Sequence, residues 1–292
     1  MKPQTIVVRT KTELEIALQK YKKAQAKIAF VPTMGNLHEG HISLIHVAQR
    51  VADVVVVSIF VNPKQFSPNE DLDSYPRTIN ADLEKLEYAH VNIAYIPKDA
   101  TEIYGKNDFT LSLDVPSLTS CLCGISRPHF FSGVLAVISK LFLQIRPDFA
   151  IFGKKDYQQY LVIKAFAESL DLGIEIIAAD TVRESSGLAK SSRNGYLSSA
   201  QAQIASKIHF ELTNIANSIN SAQDITQEFL QNLLKCAKEN LLKSGFKSID
   251  YLEIRNAKNL RIPQATDIKN APHRIFFAGN LESVRLIDNI EV

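Results

Sequence analysis

The sequence predicts an α/β protein built on a doubly wound parallel sheet, followed by a smaller α+β unit. Three observations carry this. Short apolar runs alternate with stretches of helical spacing through the first two thirds of the chain, the pattern that βαβ units leave. Val54–Val61 (VVVVSIFV) is nearly continuous apolar, as a strand buried on both faces of a parallel sheet requires. The last third reverses the order, with helices first and strands after.

Taken in order, Lys27–Val31 is a β-branched and aromatic run ending at Pro32. His41–Asp53 follows with Leu44, Ile45, Ala48, Val51 and Ala52 in one apolar stripe, as an amphipathic helix has. After Val54–Val61, Thr78–His90 returns to helical spacing through Ile79, Leu83 and Leu86, and Asn92–Ile96 reads as a strand. Helix Ser132–Ile145, strand Phe149–Phe152, helix Asp156–Leu170 and strand Ile174–Ala178 continue the alternation, which implies right-handed crossovers. Ser198–Ser218 and Ile225–Ser244 read as two long helices, and Ile249–Ile254, Arg274–Phe277 and Val284–Ile287 as strands. The boundary is expected in 183–197, giving domains 1–182 and 183–292. Lys22–Lys27 reads as a solvated helix end.

Composition narrows the class. The 292 residues carry 33 Lys+Arg against 31 Asp+Glu, a net charge of +2. No basic surplus points to nucleic acid. No apolar stretch approaches the roughly 18–20 residues that span a bilayer, and the N-terminus lacks the apolar core of a secretory signal. Cys121, Cys123 and Cys236 are too few for a disulfide framework, and Cys121-Leu122-Cys123 has the wrong spacing for a zinc pair. A cytoplasmic protein with no nucleic-acid or membrane partner is expected. Glycine is scarce, 11 residues, about half the ~7% average. Five of them (Gly35, Gly40, Gly153, Gly187 and Gly195) fall in three short segments, which marks those segments for close approach or unusual backbone.

The first is Pro32-Thr33-Met34-Gly35-Asn36-Leu37-His38-Glu39-Gly40-His41, between a buried strand and a helix, where open α/β sheets put ligands. A helix N-terminus suits phosphate, and His38 and His41, three apart, can both turn toward it. Phe60–Phe66 (FVNPKQF) follows a strand, and Gln65 offers an acceptor and donors to a hydroxy acid. In Phe152-Gly153-Lys154-Lys155-Asp156-Tyr157-Gln158-Gln159, Gly153 permits close approach, Lys155 can neutralise phosphate, and Asp156 can hold Mg²⁺ directly or through water. Gln159 follows Lys155 by one helical turn. Gly187–Asn194 (GLAKSSRN) combines hydroxyls, backbone N–H groups and Arg193 into an anion clamp.

HEGH resembles the H-x-G-H signature of the adenylyl-transferring α/β superfamily. The longer string PTMGNLHEGH, then FVNPKQF, YPRT, FGKKDYQQ and GLAKSSRN, resembles the pantoate–β-alanine ligase family over roughly residues 28–200. The resemblance implies a Rossmann-like first domain binding ATP and pantoate, and a C-terminal domain contributing a lid loop. It implies ATP contacts at Met34, Gly35, Asn36, Leu37, His38, Glu39, Gly40, His41, Gly153, Lys154, Lys155, Asp156, Val182, Lys190, Ser191, Ser192 and Arg193. Pantoate and β-alanine fall to Gln65, Gln159, Asn62 and Arg127. His41, His38, Lys155 and Arg193 are the expected catalytic set, ATP and Mg²⁺ the expected substrate and cofactor, and a homodimer the expected assembly. Three departures stand out. Lys64 and Lys190 replace methionines usual in the family, and the family's R-P-G-H-F reads Arg127-Pro128-His129-Phe130-Phe131 here. His129 is therefore left out of the catalytic set. A nucleotidyltransferase or a non-catalytic nucleotide-binding module stays open as an alternative. The pair Gln65 and Gln159 speaks against the first, and the three cationic motifs together against the second.

Overall fold

The computed structural model describes residues 4–68, 70–106 and 112–292. It divides into two units: Met1–Thr119 with Arg127–Lys154 and Gln159–Asp180, and Ser120–Ser126 with Lys155–Gln158 and Thr181–Val292.

In chain order the elements up to residue 180 are β1 (Ile6–Val8), α1 (Lys11–Lys23), β2 (Ile28–Thr33), α2 (Glu39–Val51), β3 (Val54–Ile59), α3 (Ile79–Tyr88), β4 (Ile93–Tyr95), α4 (Thr101–Tyr104), α5 (Pro116–Thr119), α6 (Cys123–Ser126), α7 (Phe130–Ile145), β5 (Phe149–Gly153), α8 (Tyr157–Ser169) and β6 (Glu175–Ala179). Strands β1–β6 form a parallel sheet in the order β1-β4-β3-β2-β5-β6. Every residue of β3 is buried, as its unbroken apolar run requires. Helix α2 lays Leu44, Ile45 and Ala48 on that layer, among Val31, Val55, Val57 and Ile151. Pro32 lies inside β2, opposite Ser58. The ladder to β5 runs at Ala29 and Phe30, so Pro32 sits beyond it and its missing N–H breaks no bond there.

Succession β2, β3, β4 runs one way across the sheet and β5, β6 the other. The switch lies between β2 and β5, and the carboxyl ends of these two strands, Thr33 and Gly153, open into the segments singled out above.

The second unit contains α9 (Ser199–Ser221), α10 (Gln227–Lys243), β7 (Ser248–Asn256), β8 (His273–Leu281) and β9 (Val284–Glu291). The strands form an antiparallel sheet in the order β7-β8-β9. Its core gathers Ile208, Leu212 and Ile215 of α9, Leu241 of α10 and Phe277 of β8. The division departs from the single cut expected near 183. Ser120–Ser126 goes with the second unit because Cys123 Sγ lies 3.1 Å from the Tyr251 hydroxyl and Ser126 Oγ accepts from Arg285 at 3.1 Å. Lys155–Gln158 does so because Arg274 stacks on Tyr157, 4.3 Å from the ring centre, and Asn289 holds the Lys155 carbonyl at 2.9 Å.

Candidate active site

In the first unit, the chain leaves β2 through two successive left-handed residues, Gly35 (φ +86°) and Asn36 (φ +50°). Glycine is needed at the first: a Cβ there would lie 3.1 Å from Ile59 and 3.2 Å from the Asp82 carboxylate. Fully buried Asp82, on α3, fixes the turn. Its Oδ2 accepts from the Asn36 N–H at 2.9 Å and its Oδ1 from the Leu37 N–H at 2.7 Å. One turn along the same helix, Lys85 Nζ donates to the Leu37 carbonyl at 2.6 Å. Sequence reading missed both residues. Helical periodicity predicted α3, but a carboxylate at the i+3 position of that pattern looks like any solvated one.

His38 is the N-cap of α2, and its Nδ1 accepts from the Gly40 N–H at 3.1 Å. The His41 Nδ1 accepts in turn from the His38 N–H at 3.3 Å, closing a capping box with imidazoles in place of the usual hydroxyl and carboxamide. The rings lie 4.1 Å apart, tilted by 41°. A backbone N–H only donates, so each Nδ1 is unprotonated and each neutral ring carries its proton on Nε2. The helix start therefore fixes both tautomers, with Nε2–H as the donor.

A second cluster follows β3. Asn62, 1% exposed, caps the 3₁₀ turn Pro63–Gln65 by accepting from the Lys64 N–H at 3.2 Å. Its Nδ2 donates to the Gln65 Oε1 and to the Gly133 carbonyl, each at 3.1 Å. Gln65 Nε2 then faces Met34 Sδ at 3.1 Å. Arg127 donates to both Glu70 oxygens, at 2.7 and 2.5 Å, and to the Gln65 carbonyl at 3.1 Å. Its guanidinium lies 3.9 Å from the centre of the Phe130 ring. The phenyl in the slot where the family carries histidine thus serves as a face for Arg127. Lys64 turns away from its own turn, its ammonium 4.4 Å from the Tyr104 ring centre.

Gly153 ends β5, and among the described residues a Cβ there would meet nothing nearer than Leu44 at 3.9 Å, so their packing does not demand glycine. Lys154 pairs with Asp180 at 2.7 Å. Gln159 lies in the first unit, in the first turn of α8. Lys155 precedes that helix in the 3₁₀ turn Lys154–Asp156 instead of opening it.

The second unit holds the remaining residues. Lys155 Nζ is 3.6 Å from Asp156 Oδ2, the carboxylate being 44% exposed. Among the described residues no group of three or more His, Cys, Asp or Glu is arranged to hold a metal. The donor set thus amounts to one accessible carboxylate, which fits Mg²⁺ that keeps its waters and phosphate oxygens.

Val182–Lys190 folds as a hairpin. The Lys190 N–H donates to the Val182 carbonyl at 2.9 Å, Arg183 bridges Ala189, and Gly187 (φ +88°) makes the turn. Lys190 Nζ pairs with Glu184 at 2.8 Å, so the extra cation at this position is compensated locally. Ser191 caps the 3₁₀ turn Ser192–Tyr196 by accepting from the Arg193 N–H at 3.3 Å. Adjacent residues of β9 hold both charged segments. Asp288 takes Arg183 at 2.7 and 3.0 Å, and Asn289 holds the Lys155 carbonyl at 2.9 Å. Sequence reading overlooked this pair, whose only local signal is two polar residues in a strand.

A histidine-capped helix thus stands at the switch point of a doubly wound parallel sheet, where open α/β proteins take their ligands. The family described as pantoate-beta-alanine ligase matches residues 6–291. A pantothenate synthetase of Shewanella loihica is 50% identical over 274 residues, 94% of each chain. One of Ectopseudomonas mendocina is 46% identical, over 98% of this chain and 97% of that one. Among solved structures, a pantothenate synthetase from Thermus thermophilus superposes with a TM-score of 0.88 at 35% identity, covering 98% of this chain and 99% of that one. Pantoate-beta-alanine ligase from Francisella tularensis, complexed with beta-gamma ATP and beta-alanine, gives 0.80 at 34% identity over 98% and 97%. The chain belongs to the pantoate–β-alanine ligase family.

Proposed function

We propose that this ligase joins pantoate to β-alanine through an enzyme-bound pantoyl adenylate. A pantoate carboxylate oxygen attacks the α-phosphorus of ATP in line. The bond to the leaving oxygen breaks, and pyrophosphate departs. The β-alanine amine then attacks the pantoyl carbonyl carbon, the bond to AMP breaks, and pantothenate, AMP and a proton are released. No covalent bond to the protein forms, so catalysis is positioning and charge stabilisation.

In this scheme the Nε2–H groups of His38 and His41 donate to phosphate oxygens, His41 in the chemical step. The turn Met34–Leu37, Glu39, Gly40, Gly153 and Lys154 border the nucleotide. Lys155 and Arg193 neutralise charge that builds on the phosphates. Ser191, Ser192 and Lys190 belong to the segment that shields the fragile anhydride from water, and Val182 meets the adenine. Gln65 and Gln159 bind pantoate, Asn62 holding the first by its side chain and Arg127 by its carbonyl. Asp156 would hold Mg²⁺ bound with ATP, and the ion would supply charge neutralisation on the phosphates. A homodimer in the cytoplasm completes the proposal; among the described residues no helix is long and apolar enough to cross a membrane.

The observation that carries the reading is the imidazole pair locked into one tautomer at the switch-point helix. Isotope transfer tests it. With pantoate labelled by ¹⁸O in its carboxylate, the adenylate route delivers one labelled oxygen to AMP. Label in inorganic phosphate instead, with ADP as product, would mean acyl-phosphate chemistry and end the proposal.

A further inference from the structure

We propose that Tyr104 is a positioning residue for the hydroxy-acid substrate: its hydroxyl clamps the Asn62 amide, and Asn62 in turn sets the direction in which Gln65 meets that substrate. The proposal rests on the reading of Gln65 as a pantoate contact and adds a residue to it.

The orientation of Asn62 follows from groups whose roles are fixed. The Lys64 N–H can only donate, so the atom it meets at 3.2 Å is the Asn62 oxygen. The Gly133 carbonyl can only accept, so the atom it meets at 3.1 Å is the Asn62 nitrogen. Tyr104, the last residue of α4, puts its hydroxyl 2.5 Å from that same Oδ1, and an amide oxygen facing a phenol makes the phenol the donor. Burial pushes the Tyr104 phenol above its ordinary range, which keeps the proton in place. Since Asn62 Nδ2 donates, the Gln65 atom 3.1 Å away is Oε1. Gln65 Nε2 is left against a thioether, Met34 Sδ, a weak acceptor that a substrate oxygen readily replaces.

Tyr104 is itself packed on two sides, and its helix is tied down. Phe60 packs on it edge-on with ring centres 6.4 Å apart, and the Lys64 ammonium lies over its face. Gln144 of α7 secures α4 by donating to the Glu102 carbonyl at 2.9 Å while accepting from the Tyr95 hydroxyl at 3.2 Å. A hydrogen-bonded network of this kind rigidifies what it touches.

The test is a double-mutant cycle read in steady-state kinetics. Tyr104→Phe keeps the ring and removes only the hydroxyl. Its KM for pantoate should rise about tenfold, the scale of one lost hydrogen bond of good geometry, while the KM for ATP stays within about twofold. In a Gln65→Ala background the same substitution should add nothing, because the group it positions is gone. A Tyr104→Phe enzyme with unchanged pantoate KM overturns the proposal, and so does an effect that persists in Gln65→Ala or raises both KM values equally. A Gln65→Ala enzyme with ordinary pantoate KM would instead remove the underlying reading of Gln65. If Tyr104→Phe does not fold, Tyr104→Leu, which also lacks the hydroxyl, carries the same expectation.

Discussion

His38 and His41 each turn Nδ1 to a backbone N–H at the start of α2, and these backbone donors select the tautomer. The same economy governs the turn before them, where one carboxylate, Asp82, accepts two successive backbone N–H groups. Asp82→Ala takes the carboxylate from the buried Leu37 N–H and the half-buried Asn36 N–H, and an unsatisfied buried donor costs about 1–3 kcal/mol. It should lower stability in urea denaturation by about 3 kcal/mol and raise the KM for ATP at least tenfold, with Asp82→Asn between. A stable Asp82→Ala protein with ordinary ATP affinity would show that the turn needs no brace. HEGH was legible because its chemistry lies within four residues. Asp82 was not, because its partner Leu37 is 45 residues away and a single sequence carries no sign of that contact.

Among the elements, α7 shows how backbone proximity serves the site. A Cβ on Gly133 would lie 2.0 Å from the Lys64 carbonyl oxygen and 2.8 Å from the Gln65 Cα. Only glycine lets the helix meet the Pro63–Gln65 turn and offer its carbonyl to Asn62. Gly133→Ala forces the two apart. Overpacking of this kind costs about 1–3 kcal/mol, read as a lowered thermal midpoint, and the pantoate KM should rise with it. A midpoint unchanged within error would contradict the contact. Elements with a strong period or a long apolar run, such as α2 and β3, were readable within a few residues. The three-residue β1 and the single turns α4–α6 were not, since so short a stretch holds no full period. Tyr104 sits on one of those turns, which is why it escaped notice.

At the scale of the whole molecule, the alternation of strands and helices announced the doubly wound sheet, and the change of order after residue 180 announced the second unit. The excursions Ser120–Ser126 and Lys155–Gln158 into that unit were hidden. They rest on partners such as Tyr251 and Asn289, 128 and 134 residues distant from Cys123 and Lys155. The C-terminal strand also looked chemically silent, yet Asp288 and Asn289 brace the hairpin through Arg183 and the Lys155 turn. The central claim for the molecule is a two-step reaction in which the imidazole pair assists the first step. Exchange of labelled pyrophosphate into ATP measures that step alone. It should require pantoate, proceed without β-alanine, and fall about 10²–10³-fold in folded His41→Ala, the cost of one transition-state donor. Exchange that ignores pantoate, waits for β-alanine, or survives His41→Ala undiminished would contradict the account.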